Sequence, residues 1–374
     1  MNSTDDILDI FLVAPPGLES PLRDEAAARG FADPRAVPGG VETRGGWPEV
    51  WRANLQLRGA ARVLVRIGAF RAFHLAQLDK RARKFPWAKV LRADIPLRVE
   101  VTCHASRIYH AGAAAERIER ALREELGATI APEAALCLKV RIDDNLCTFS
   151  LDSSGEPLHR RGHKEAVGKA PMRENLAALF LRQCGYDGTG PVLDPMCGSG
   201  TFVIEAAEIA AGLAPGRSRG FAFEALAGFD AAAWARMRAA TPQGAGEGPV
   251  RFHGFDRDAG AVRMATANAA RAGVSGLTCF AQQPVGALTR PEGPAGLVIV
   301  NPPYGARIGN KNMLYALYAT LGQVLRDQFT GWRVGLVTTE AGLARATALP
   351  FAPPGPPVGH GGLKIRLFQT GPLR

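Results

Sequence analysis

Within a chain of 374 residues, the stretch PVLDPMCGSGTFVIEAAEIAAG (191–212) narrows the fold more than any other. A short apolar run ends at Asp194, glycines follow at 198 and 200, and a helix-forming apolar segment begins near Thr201. Strand, glycine turn and helix in that order open a doubly wound α/β domain. Gly198 and Gly200 carry no Cβ, so the backbone turns tightly and leaves peptide N–H groups at the helix N-terminus open to a ligand. Over 155–374, further apolar runs alternate with helical segments, as a mostly parallel sheet covered on both faces requires. At 39.7 kDa the chain exceeds what one hydrophobic core supports, so two or three domains are expected.

The ligand class follows from what the loop lacks. A dinucleotide fingerprint needs a third glycine three residues on and an acid about 20 residues later. Position 203 is Val, and the next strand-end acid is Asp256, with Arg257 beside it, 56 residues after Gly200. A phosphate-binding loop needs Gly-Lys-Ser/Thr, which is absent. An acid ending the second strand suits the ribose hydroxyls of a cofactor without phosphates, and Asp194 at the tip of the first strand can orient an amino group. S-adenosyl-L-methionine meets that description.

A second stretch, VIVNPPYGAR (298–307), ends a buried fourth strand at Asn301 and follows it with two residues that have no backbone N–H. In a parallel sheet this point faces the crevice beyond the carboxyl ends of the strands. The Asn301 side-chain oxygen and the Pro302 carbonyl accept hydrogen bonds from an exocyclic amine, whose lone pair is then freer to attack a sulfonium methyl. Pro303 keeps the turn rigid, and Tyr304 can stack on a planar base. Alignment of the reacting atoms, rather than a strong base, is expected to supply most of the rate. Cys197 lies in the cofactor loop rather than after the fourth strand, so it reads as loop packing and not as a nucleophile. His159 and His163 lie in LHRRGHKEAVGKAPMREN, which reads as a basic, solvated connector.

Charge is concentrated. Eleven basic residues and one acid, Asp79, lie between Arg52 and Arg92, giving this stretch the whole formal excess of +10. Such a concentration favours a polyanion, with nucleic acid ahead of a membrane surface because RARKFPWAKVLR lacks a long amphipathic period. Six cysteines are scattered singly with no CxxC, so a reducing compartment and no structural metal are expected. No run of eighteen apolar residues occurs, and the opening MNSTDDILDIFLVAPPG is acidic where a signal peptide would be basic; a cytoplasmic location is expected.

Residues 1–60 read as strand, helix, strand, helix, and 61–154 as a second α+β region with IPLRVEVTC and NLCTFSLDSS as strands and GAAAERIERALREEL as a helix. The stretches TPQGAGEGP (241–249) and FAPPGPPVGHGG (351–362) read as surface connections.

LHRRGHKEAVGKAPMRENLAALFL, LDPMCGSGTFVIEAA and VIVNPPYGARIG, in that order, resemble the THUMP-domain RNA guanine-N2 methyltransferases, and in particular the bacterial enzymes that act on large-subunit rRNA. FLVAPPGLESPLRDEAAARGF, GGVETRG and SLDSSGEPLHRRG extend the resemblance over the whole chain. It implies an N-terminal ferredoxin-like region (1–60), a THUMP RNA-binding domain (61–154) and a Rossmann-like class I methyltransferase domain (155–374) using S-adenosyl-L-methionine. By the same resemblance Asp194, Pro195, Cys197, Gly198, Ser199, Gly200 and Thr201 line the cofactor loop. Asp256 and Arg257 lie at the ribose, and Pro171 and Glu174 lie beside the methionine end. Asn301, Pro302, Pro303 and Tyr304 form the target-amine motif. RNA contacts are expected from Arg58, Arg62, Lys80, Arg81, Arg83, Lys84, Lys89, Arg92 and Arg107. Relatives carry an acid after the third strand, whereas this chain reads CFAQQPVGAL, leaving Gln282 or Gln283 for that contact.

The expected reaction is methylation of a guanosine N2 in structured RNA, 23S rRNA ahead of tRNA, by a monomer without metal or membrane attachment. DNA adenine-N6 or protein glutamine methylation uses the same amine or amide chemistry, and a non-catalytic RNA-binding assembly factor is the alternative from another class.

Overall fold

The computed structural model describes residues 7–165, 172–242, 244–245, 248–249, 251–304 and 311–374. The chain divides into two compact units: Met1–Ala14 with Arg23–Leu158 and Arg219–Ala240, and Pro15–Leu22 with His159–Ser218 and Thr241–Arg374.

The first unit is built on β1 (Leu8–Val13), β2 (Ala32–Val37), β3 (Gly40–Gly45), β4 (Arg62–Arg71), β5 (Leu97–His104), β6 (Leu136–Asp143) and β7 (Leu146–Asp152), in the order β2-β3-β1-β4-β7-β6-β5. Only β5 and β6 pair in parallel; the other neighbours are antiparallel. The sheet therefore crosses residue 60 without a break, through the β1–β4 pairing. Its helices are α1 (Glu19–Ala28), which begins among residues of the second unit, α2 (Trp47–Gln56), α3 (Leu75–Arg83) and α4 (Ala111–Leu126). Alternation along β1 buries Ile10 and Leu12, and on α4 the residues Ala114, Ile118, Ala121 and Leu122 share one buried stripe. His110 caps α4 by accepting from the Ala113 N–H at 2.9 Å, and Gly127 ends it at φ +72°.

Strand β2 does not stand out in the sequence, because Pro34 interrupts it; as an edge strand it tolerates a residue that cannot donate to a ladder, and its register slips between Ala32 and Arg35. Residues 219–240 join this unit through aromatic packing. The Trp51 ring lies 6.0 Å from Phe223, 5.6 Å from Phe229 and 6.4 Å from Trp234.

The second unit holds α5 (Glu174–Gln183), β8 (Val192–Asp194), α6 (Thr201–Ala210), β9 (Phe252–Asp256), α8 (Ala259–Ala272), β10 (Thr278–Gln282), β11 (Leu297–Val300), α9 (Lys311–Gln328), β12 (Arg333–Thr338), α10 (Ala341–Ala346), β13 (Val358–His360) and β14 (Leu363–Gln369), while α7 (Ala231–Ala239) lies in the first. Sheet order is β10-β9-β8-β11-β12-β14-β13, parallel through β12, with β14 antiparallel to both its neighbours. β13 forms within the stretch 351–362 that reads as a connection. Every residue of β8 and β11 is buried, which is why both read as continuous apolar runs. Against β11 and β12, α9 buries Leu314, Tyr318, Leu321 and Leu325, and Phe329 and Trp332 complete the core.

Candidate active site

Strand order reverses between β8 and β11, the switch point at which an open parallel sheet leaves a crevice beyond its carboxyl ends. Val192 and Leu193 pair with Leu297 and Val298, so Asp194 at the end of β8 and Asn301 just past β11 stand on the same edge. Asp194 is buried and accepts the Met196 N–H at 3.0 Å; burial, opposed by that bond and reinforced by Asp256, pushes its carboxyl up to about 8.

The glycine loop is tied to the next strand. Cys197 donates its N–H to Phe255 O at 2.8 Å, and Asp256 accepts the Gly198 N–H on Oδ2 and the Asp258 N–H on Oδ1, each at 3.0 Å. Both oxygens keep lone pairs for a hydroxyl donor. Gly198 has φ +52° and open space where a Cβ would stand, so a ligand can approach the backbone. Gly200, at φ +84°, serves packing: a Cβ there would lie 3.0 Å from Ala265 Cβ and 3.2 Å from the Phe280 ring. Pro195, Ser199 and Thr201 are buried, and Ser199 O accepts from Asn268 Nδ2 at 3.1 Å. Burial raises the Cys197 thiol above its usual range, which keeps it protonated and fits packing rather than attack. Arg257 is exposed, and its carbonyl accepts from Gln282 Nε2 at 3.0 Å. The Gln283 amide donates to Ala287 O at 2.6 Å.

The connector 158–175 is solvated only in part: among its described residues Arg160, Glu165 and Arg173 are exposed, whereas Arg161, His163 and Glu174 are buried. Arg161 and Glu205 are each 1% exposed in the side chain and pair at 3.1 Å, while Glu208 pairs with Arg217 at 2.5 Å and lies 3.9 Å from His163. The cause is α6, which carries two glutamates on a helix buried along its length; a carboxylate taken out of water needs a cation. Two acids inside an otherwise apolar helix were the available signal. Lys164, which sequence reasoning passed over, donates to Met172 O at 2.8 Å and Thr201 Oγ1 at 2.9 Å and pairs with Glu174 at 3.2 Å, joining the connector, α5 and the start of α6. Pro171 lies outside the described residues.

Past β11 the Asn301 Oδ1 is buried with no hydrogen-bond partner among the described residues, Pro302 is buried, and Tyr304 is half-buried against the core. A chain of bonds fixes the Pro303 carbonyl from behind. Thr338 Oγ1 accepts from the Glu340 N–H (3.5 Å) and donates to Tyr318 Oη (3.2 Å), leaving the phenol proton for Pro303 O (3.3 Å). Burial, partly offset by Thr338, raises the Tyr318 phenol, so it stays a donor.

The expected RNA-contacting cations divide sharply. Arg58 is only 3% exposed, and Arg62 pairs with buried Asp152 and donates to Gly155 O at 2.6 Å, so both face the interior. Arg83 is held by Asp79, Glu124 and Glu125, and Arg92 by Asp94 at 2.5 Å. Lys80, Arg81, Lys84, Lys89 and Arg107 are exposed and have no ion-pair partner among the described residues. Among the described residues no helix is long and apolar enough to cross a membrane, and no cluster of His, Cys, Asp or Glu could hold a metal.

Sheet order, glycine loop, strand-end acids and an orphaned amide oxygen at the switch point define a Rossmann-like methyltransferase domain. Residues 161–349 match the RMKL-like methyltransferase domain and residues 9–64 the RlmL ferredoxin-like domain, and the chain belongs to this RMKL-like methyltransferase family. S-adenosyl-L-methionine is its cofactor, and the open approach at Gly198 with the strand-end acids fits it. Among solved structures, a predicted N6-adenine-specific DNA methylase from Listeria monocytogenes is 28% identical at TM-score 0.86, covering 98% of this chain and 97% of that one. A possible methylase from Clostridium difficile is 26% identical at TM-score 0.87, and SMU.472, a putative methyltransferase complexed with SAH, is 25% identical at 0.86; each comparison covers 99% of both chains.

Proposed function

We propose that the protein transfers a methyl group to the exocyclic N2 amine of a guanosine in structured RNA, with 23S rRNA ahead of tRNA. The observation that carries this reading is the buried Asn301 Oδ1 at the switch point, which has no partner among the described residues and is an acceptor that calls for a donor such as an amine. Asn301 Oδ1 and the Pro302 carbonyl accept the two amine hydrogens, and the lone pair on nitrogen is then less delocalised into the base. S-adenosyl-L-methionine supplies, when bound, an electrophilic methyl on a positively charged sulfur. Asp194 and Asp256 hold the cofactor's polar groups, Glu174 lies toward its methionine end, and Tyr304 stacks on the target base. The exposed cations Lys80, Arg81, Lys84, Lys89 and Arg107 support an RNA substrate, and on this reading residues 61–154 form a THUMP module that grips it.

The test is methyl transfer from labelled cofactor into purified 23S rRNA, tRNA, DNA and protein, followed by nucleoside mass analysis. N2-methylguanosine in 23S rRNA is expected. The same nucleoside in tRNA alone moves the substrate to the alternative. Label confined to DNA, the substrate class named for the Listeria neighbour, or to protein overturns the reading. No transfer and no cofactor binding would mark an assembly factor instead.

A further inference from the structure

At one end of the first unit's sheet three connections converge: β4 to α3, β5 to α4, and the tight β6–β7 turn at Asp144 and Asn145. They are laced together. Ala72 donates its N–H to Asn145 O, Arg107 its N–H to Asn145 Oδ1, and Asn145 its N–H to Ser106 Oγ, each at 2.9 Å. Arg71 adds a bond to Asp144 O at 2.7 Å. Asp144 and Asn145 have φ of +45° and +59°, the left-handed region that a two-residue hairpin turn demands.

This braced end leaves large apolar side chains in water. Tyr109 is 84% exposed and Phe73 41%, with Leu146 beside the turn at 38%. The Arg107 guanidinium lies 5.7 Å from the centre of the Phe73 ring. Phe73 is fixed in the backbone by donating its N–H to Gln77 Oε1 at 2.9 Å. The acids here are engaged: Asp144 faces Arg71 at 3.5 Å, and Asp143 faces Arg141 at 2.6 Å and His104 at 2.9 Å. From this end α3 leads away, carrying the exposed Lys80 and Arg81 with Lys84 at its cap. At the α-helical rise the nine residues of α3 span about 14 Å, the reach of two or three nucleotides.

We propose that Phe73, Tyr109 and Arg107 form a stacking subsite for unpaired RNA bases, with the phosphates of the same strand following Lys80, Arg81 and Lys84 along α3. The proposal rests on the RNA reading above and adds which part of the RNA is gripped and by which side chains. An exposed ring on a rigid backbone presents a π face at little ordering cost, and every unpaired base has a matching one. Paired bases do not, so the subsite selects single strands.

The experiment measures binding of the full chain to a single-stranded RNA oligonucleotide and to an RNA duplex of equal length, by fluorescence anisotropy at several salt concentrations. Phe73→Ala and Tyr109→Ala are each expected to weaken single-strand binding by roughly tenfold, leaving the salt slope and duplex binding unchanged. Tyr109→Phe, which keeps the ring, should bind as the wild type does. Lys80→Ala with Lys84→Ala should instead lower the salt slope, by about 0.7 for each phosphate that is no longer neutralised. Unchanged single-strand affinity in the Phe73→Ala/Tyr109→Ala double variant overturns the proposal, as does an equal loss on duplex. Both positions are exposed, so the variants are expected to keep the wild-type circular dichroism. Methylation of RNA by the wild type, measured in parallel, separates the two readings: RNA methylation with unimpaired variant binding sinks the subsite alone, and wild-type activity only on DNA or protein sinks the RNA reading.

Discussion

Replacing Tyr318 by Phe removes one oxygen from the centre of the bond chain that ends on the Pro303 carbonyl. The ring is 0% exposed and Phe fills the same space, so no cavity opens. The substitution leaves the Thr338 hydroxyl, also 0% exposed, without an acceptor, and frees the Pro303 carbonyl. Leaving the buried Thr338 hydroxyl unsatisfied in this way costs about 1–3 kcal/mol. Two readouts divide that cost. Thermal unfolding should fall by a few degrees, as expected from about 1 kcal/mol in a domain of this size. If the Pro303 carbonyl sets the angle at which Asn301 and Pro302 meet the target amine, a loss of 1–3 kcal/mol at the transition state lowers single-turnover methyl transfer about 5- to 150-fold. Cofactor affinity, measured by calorimetry, should hardly move, since Tyr318 bonds no residue of the glycine loop. Thr338→Val tests the same chain from its other end and should shift transfer in the same direction, with Thr338→Ser restoring it. Transfer within twofold of the wild type in both Tyr318→Phe and Thr338→Val would refute the positioning argument and reduce the chain to a stabilising contact.

Asn301→Ala is expected to abolish methyl transfer while cofactor affinity stays nearly intact; unchanged turnover removes Asn301 from the reaction. Asp194, whose carboxyl is raised to about 8 by burial, makes the cofactor-free fold lose stability as pH climbs from the unfolded value near 4 through 8, because the unfolded chain ionises first. Asp194→Asn should therefore unfold at a higher temperature than the wild type at pH 8, converge with it near pH 4, and bind cofactor more weakly; no pH-dependent difference counts against the buried acid. Glu205→Gln removes the carboxylate that pairs with Arg161 in the interior and should destabilise by up to about 3–5 kcal/mol in denaturant titration. Reversing Lys80, Lys84 and Lys89 to Glu should flatten the salt dependence of RNA binding, whereas Arg62→Ala should lower the unfolding midpoint and leave that slope alone.

Local rules carried much of this molecule. β8, its glycine turn and α6 are contiguous in the chain, so apolar run, missing Cβ and helix period are all written within 191–212. The same holds for β11 and the residues that end it, and both stretches are among those that carry the family resemblance. Tertiary structure decided what pairs across long separations. Nothing local shows that Arg62 meets Asp152, that Arg161 meets Glu205, or that Tyr318 reaches Pro303, because each partner lies far along the chain and charge alone reads as solvated. The segment 219–240 joins the N-terminal unit for a similar reason: Phe223, Phe229 and Trp234 find their neighbour in Trp51, more than 170 residues earlier. The basic stretch itself was evident from composition, yet only packing separates Arg58 and Arg62, turned inward, from Lys80, Arg81, Lys84 and Lys89, which face water. Periodicity reports the face on which a side chain lies; which partner waits there depends on how distant strands and helices are brought together, and that is a property of the folded chain.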